Sequence, residues 1–134
     1  MLINNTENIL RKIRMITNKT ILFIGVKTGG SVSFHNIKSF LLFIKKGDVQ
    51  LLGIDIPKKI KIDEMKVVLK AVGRNKNIIG AYITVHKRII YIAGREMWNS
   101  VSLQVKETGV ITCFFRIKNG LRAVQLDGKA SYLN

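Results

Sequence analysis

The chain has one cysteine, one proline, one tryptophan and only 8 acidic residues among 134. A lone cysteine excludes an internal disulfide and the small stapled scaffolds of the extracellular space. With a single proline, Pro57, and no Ser- or Gly-rich stretch, nothing reads as a linker. One domain over residues 1–134 is therefore expected, since either half alone would be marginal as a core. No apolar run exceeds five residues, as in Phe40 to Ile44, far short of the ~18 needed to cross a bilayer. No secretory pattern opens the sequence, so a cytoplasmic protein without integral membrane association is expected.

Motifs for chemistry are also scarce. His35, His86 and Cys113 are isolated, which argues against a metal cluster. No serine or cysteine stands in a nucleophile motif. Gly29-Gly30 follows an apolar run but has the spacing of neither a P-loop nor a dinucleotide fingerprint. Few acids leave few candidates for general acid–base work. Asp55, Glu64 and Lys66 have the residue types of a metal-dependent nuclease, yet Asp63 and Glu64 are explained as a helix start. A non-catalytic protein with no cofactor and no metal is the expectation, with an enzyme as the alternative.

What is present is positive charge and hydrophobicity. The 23 Lys and Arg residues give a formal net charge of +15, and 47% of residues are hydrophobic. That combination disfavours disorder and names a polyanion as partner. The cations run from Arg11 to Lys129 without a basic tail, so a folded surface must carry them. The densest group is Lys58, Lys59, Lys61, Lys66, Lys70, Arg74 and Lys76. Isoleucine, asparagine and lysine are all abundant, a bias that an A/T-rich coding sequence also produces, and this reduces the weight of each lysine.

Periodicity predicts a helix capped by Thr6 with Ile9, Ile13 and Ile16 on one face. Thr20–Lys27 reads as a buried strand, Ser31–His35 as a return strand, and Val49–Ile54 as a strand. Ile37–Lys46 fits either a helix or a buried strand, with helix favoured. Asp63–Val72 is the clearest helix, with Asp63 as N-cap and Gly73 as a left-handed terminus. From Ile78 onward the expectation is an antiparallel meander of about five strands, including Ile78–His86, Ile89–Ala93 and the alternating Val101, Leu103 and Val105. The fold class expected is thus α+β, with two or three amphipathic helices on that meander. Asn119-Gly120 predicts a type I′ hairpin with Lys118 facing Leu121, Arg116 facing Ala123 and Phe114 facing Gln125.

In that register Ile111, Cys113, Phe115 and Ile117 form the core face. Phe114, Arg116, Lys118 and Lys106 lie on a polar face, which Tyr82 and His86 extend. Aromatic rings among cations are what single-stranded nucleic acid needs, for stacking and for phosphates. The plainer alternative is that Phe114 packs under a helix or against a second copy. The function expected is binding of single-stranded or structured nucleic acid, as DNA or RNA. The sites are the lysine-rich segment and this strand face, and a homodimer is one arrangement that would present them. The alternatives are an assembly component of a ribosome or virion, and the metal-dependent nuclease.

Overall fold

A computed structural model describes residues 4–30, 34–35 and 48–126. The expectations for Ile37–Lys46 and for residues 31–33 lie outside these. In chain order the elements are α1 (Asn4–Arg14), β1 (Thr20–Gly25), a 3₁₀ turn (Thr28–Gly30), β2 (Gln50–Asp55), α2 (Ile62–Arg74) and β3 (Ile78–Ile83). They continue with α3 (Lys87–Ala93), β4 (Trp98–Val101), α4 (Leu103–Thr108), β5 (Cys113–Ile117) and β6 (Gly120–Val124).

The six strands form one sheet in the order β2-β1-β3-β5-β6-β4. β1 runs parallel to β2 and β3, and β4 parallel to β6; β5 alone is antiparallel to its neighbours. The class is therefore α/β with a mostly parallel sheet, and the expected antiparallel meander is wrong. Except at the β5–β6 hairpin, helical segments and strands alternate among the described residues, and parallel neighbours require such crossovers.

Two supposed strands are helices. Ile89–Ala93 lies in α3, packed against α2, because tertiary contact overrides the β-propensity of its isoleucines. Leu103 and Val105 lie in α4. Ser102 caps that helix through its hydroxyl, which accepts from the Val105 N–H at 3.4 Å. Gly109 ends it at φ 71°, in the left-handed region that favours glycine.

The helix termini also differ from expectation. Asn4–Arg14 extends past Thr6, whose buried hydroxyl donates to Glu64 Oε2 at 2.6 Å and ties α1 to α2. Lys61, not Asp63, is the N-cap of α2, and Gly73 lies inside that helix, with Asn75 as C-cap.

The sheet face under α1, α2 and α3 holds the main core. Ile9, Ile13, Leu22, Ile24, Met65, Leu69, Ile83, Phe114 and Ala123 belong to it. The β5–β6 register pairs Ile117 with Gly120, Arg116 with Leu121 and Phe114 with Ala123. The two-residue loop is therefore Lys118-Asn119, one residue earlier than the Asn-Gly rule placed it. The faces are also exchanged: Phe114 is 0% exposed and Phe115 is 36% exposed. A strand with helices above it and neighbours on both edges carries large apolar residues on both faces, so alternation does not reveal which face is buried. No helix among the described residues is long and apolar enough to cross a membrane.

Candidate functional site

In an open parallel sheet, ligands bind beyond the carboxyl ends of the strands where the chain's winding reverses. Here that point lies between β1 and β3. The chain leaves β1 for β2 on one side, then crosses back to β3 on the other. The segments meeting there are 25–30 after β1, 55–57 after β2 and 84–87 after β3. Thr112, ahead of the antiparallel β5, joins them.

Asp55 closes β2 and organises the first of these segments. Its Oδ1 accepts from the Thr28 N–H at 2.9 Å and from the Thr28 hydroxyl at 2.7 Å. Gly25 has no room for a side chain, because a Cβ there would sit 2.6 Å from Thr84 Oγ1 and 3.3 Å from Thr28 Cγ2. Thr84 in turn donates from its N–H at 3.0 Å and its hydroxyl at 3.1 Å to the Ile24 carbonyl. At Gly53 a Cβ would collide with the Thr28 hydroxyl and approach the Phe34 ring at 3.6 Å. Thr28, Asp55 and Thr84 are thus held in one polar cluster by close backbone packing. Gly25→Ala is expected to displace Thr84 or Thr28, shifting the amide resonances of residues 26–30 and 84–87 in a ¹⁵N–¹H spectrum while leaving those of β5–β6 in place.

His86 and Lys87 join β3 to α3. His86 is 3% exposed, its Nε2 lies 3.1 Å from the Pro57 carbonyl, and its Nδ1 has no partner. A carbonyl needs a donor, so Nε2 carries the proton and Nδ1 is bare. Burial pushes the His86 pKa below its ordinary value, against the opposing backbone hydrogen bonds of Pro57 and Ile56. The folded state therefore favours the neutral ring. Stability contributed this way is present above the unfolded pKa near 6.5 and is lost as pH falls through the folded value. Denaturant midpoints should accordingly drop between pH 7 and pH 5, and His86→Gln should flatten that slope. Lys87 opens α3, is half-buried, and its carbonyl accepts from the Ile111 N–H at 3.1 Å. Thr112, 1% exposed, accepts through its carbonyl from the Ile83 N–H at 2.8 Å and through its hydroxyl from the Leu126 N–H at 2.8 Å.

Of the residues singled out from sequence, only Asp55 and His86 are gathered here. Phe114 is in the core, its ring 5.4 Å from that of Trp98. Tyr82 stacks on Phe23 on the sheet's other face, with centroids 5.4 Å apart and planes 16° apart. Arg116 turns inward to backbone carbonyls of α2 and β3. Lys106 is exposed on α4, not on a strand, and Lys118 is exposed in the hairpin loop. Lys58 and Lys59 follow β2, Lys61 caps α2, and Lys66, Lys70 and Arg74 are exposed along α2, with Lys76 just beyond. No continuous aromatic and basic strand face exists among the described residues. Nor does the nuclease set assemble. Asp55 serves Thr28 and Glu64 serves Thr6, and no group of three potential metal ligands occurs among the described residues.

No protein-family model matches the chain, and no curated protein matches it. Solved structures do. Shikimate dehydrogenase 1 from Peptoclostridium difficile is 21% identical over 80% of this chain and 36% of its own, with a TM-score of 0.57. Shikimate dehydrogenase from Aquifex aeolicus is 17% identical over 82% of this chain and 39% of its own, at 0.62. The fold resembles part of a shikimate dehydrogenase. A 5-ketofructose reductase of Gluconobacter sp. strain CHM43 shares it as well, at 12% identity over 87% of this chain and 39% of its own, with a TM-score of 0.65. The chain spans less than two-fifths of the length of these enzymes.

These comparisons correct the expected partner and function. The similar structures carry the names of enzymes that oxidise or reduce small molecules, so neither nucleic-acid binding nor a ribosomal or virion role is retained. Sequence reasoning missed Thr28, Thr84 and Lys87. Their signal was positional: Gly29-Gly30 and Thr84-Val85-His86-Lys87 each follow an apolar run directly, where strands of a parallel sheet end.

Proposed function

We propose that this chain is the substrate-holding domain of a dehydrogenase-type enzyme, and that residues 1–134 act as one domain. Its ligand is a small polyhydroxylated compound or the corresponding ketone, taken into the cleft between the carboxyl ends of β1 and β3. The supporting observation is the coincidence of two things: the sheet aligns with shikimate dehydrogenases and a ketose reductase over 80% or more of the chain, and its polar cluster lies at the position such sheets use for ligands. Thr28, Asp55 and Thr84 present hydroxyl and carboxylate groups suited to a polyol, and a half-buried lysine follows β3.

Nicotinamide dinucleotide accompanies such enzymes; one similar shikimate dehydrogenase is described in complex with NADP+. The residues of this chain do not fit a dinucleotide. A dinucleotide-binding sheet has the order 3-2-1-4-5-6 with a G-x-G-x-x-G turn, whereas this one has the order 2-1-3-5-6-4 and lacks that turn. The chain's own contribution is to bind and orient the substrate. Lys87 serves it as proton donor or acceptor at the reacting oxygen, a role suited to a lysine at the mouth of a partly buried site.

Titration of ¹⁵N-labelled protein with shikimate tests the reading. Shifts should concentrate at residues 25–30, 55–57 and 84–87, and Lys87→Ala should weaken binding at least tenfold without lowering the melting temperature by more than a few degrees. Absence of any shift at 10 mM shikimate and 10 mM fructose would refute it.

A further inference from the structure

A second cavity lies at the opposite pole of the sheet, ~20 Å away by the length of a six-residue strand. It is the groove between the carboxyl ends of α1 and α2, with a volume of about 670 Å³. Arg14, Lys70, Arg74 and Lys76 line it, along with Val67 and Ala71, and no carboxylate does. All four cations are exposed, and none of their side chains has a hydrogen bond or ion pair among the described residues.

Cations at helix carboxyl ends commonly serve the terminal carbonyls. Here that work is done by other groups. Arg116 donates from Nη2 to the Val72 and Asn75 carbonyls, each at 3.3 Å, and from Nη1 to Gly73 at 3.4 Å. Asn75 Nδ2 donates to the Ile13 and Ile16 carbonyls at the end of α1, both at 3.0 Å. The same bonds brace the two helix ends against each other, so the groove is rigid before any ligand arrives. Lys70 and Arg74 are four residues apart on one helix, a like-charge pair that repels. A concave, braced cluster of cations whose neighbouring carbonyls at Val72, Gly73, Ile13 and Ile16 are served by other groups has the chemistry of an anion site.

We propose that this groove binds a small organic polyphosphate of the nucleoside triphosphate kind. The phosphoryl oxygens lie on Arg14, Lys70, Arg74 and Lys76, and the ring lies against Val67 and Ala71. The volume is that of small-molecule pockets, and guanidinium groups pair with phosphate in two-pronged fashion. The site is separate from the proposed substrate cleft, so either can fail without the other.

Calorimetric titration of the whole chain at 50 mM NaCl with ATP, tripolyphosphate, adenosine and polyglutamate tests it. ATP should bind, tripolyphosphate about tenfold more weakly, and adenosine and polyglutamate not measurably. The double variant Lys70→Ala/Arg74→Ala should weaken ATP binding at least tenfold and leave the shikimate response unchanged. Lys58→Ala/Lys59→Ala, which removes the same charge elsewhere, should change it less than twofold. Equal loss in the two double variants would show attraction to net charge alone and overturn the proposal. Equal affinity for tripolyphosphate and ATP would overturn the ring contact. Polyglutamate binding as tightly as ATP would assign the groove to an acidic protein and overturn it as well.

Discussion

Phe114→Ala is expected to lower the unfolding free energy by about 3–5 kcal/mol, the usual cost of removing a buried phenylalanine. The ring is fully buried on the helix-covered face of β5 and packs against Trp98, with Ala123 as its cross-strand partner. Little nearby can collapse into the space, since the surrounding strands are locked by parallel and antiparallel pairing on both sides. Phe115→Ala, one residue along, should cost less, about 1–2 kcal/mol, because that ring is already 36% exposed. Urea unfolding of the two variants distinguishes the observed arrangement from the reverse one that alternation suggested. A larger loss at Phe115 than at Phe114 would contradict the structure.

Arg116→Ala is the second large effect. The guanidinium holds four carbonyls, with Nε donating to Ile78 at 3.0 Å in addition to the bonds to Val72, Gly73 and Asn75. Hydrogen bonds to a charged donor are the stronger kind, and removing the donor leaves half-buried acceptors unsatisfied, so a loss of about 2–3 kcal/mol is expected. Arg116→Lys should recover less than half of it, because an ammonium cannot span carbonyls spread over α2 and the start of β3. Full rescue by lysine in the same unfolding experiment would show that charge, and not the fork, is what matters. Hydrogen exchange offers a finer check, since the loss should appear first in the last turn of α2 and at Ile78.

Much local structure was legible along the chain. The stripe Met65, Val68, Leu69 and Val72 marks α2, and all four residues are buried as its spacing requires. The isoleucine-rich run after Thr20 is β1, and Asn119-Gly120 does lie at a hairpin turn. Helical and strand periods are properties of consecutive residues, so they survive without knowledge of the fold. Legibility failed where two readings share a local pattern. Ile89–Ala93 is β-branched enough for a strand, and only its packing against α2 makes it a helix. Val101, Leu103 and Val105 alternate as a strand would, yet Ser102 and Gly109 delimit a helix inside that alternation.

The candidate cleft was less legible than the fold. Thr28, Asp55 and the Thr84–Lys87 segment are far apart in sequence and carry no motif; they meet because β2 and β3 run parallel on either side of β1 and the carboxyl ends of the three strands coincide. Arg116 shows the converse. In sequence it reads as one cation of a surface, but in the structure it is an internal brace.

The excess of 23 basic over 8 acidic residues, the lone cysteine and the absence of a membrane-length apolar run belong to the sequence alone, because composition needs no coordinates. So do the individual helix and strand periods. Strand order, the choice of buried face on β5 and the division of the cations between brace and groove were decided only by the tertiary structure. Those depend on which distant segments become neighbours, and a pattern read along one strand is the same whichever face the helices cover.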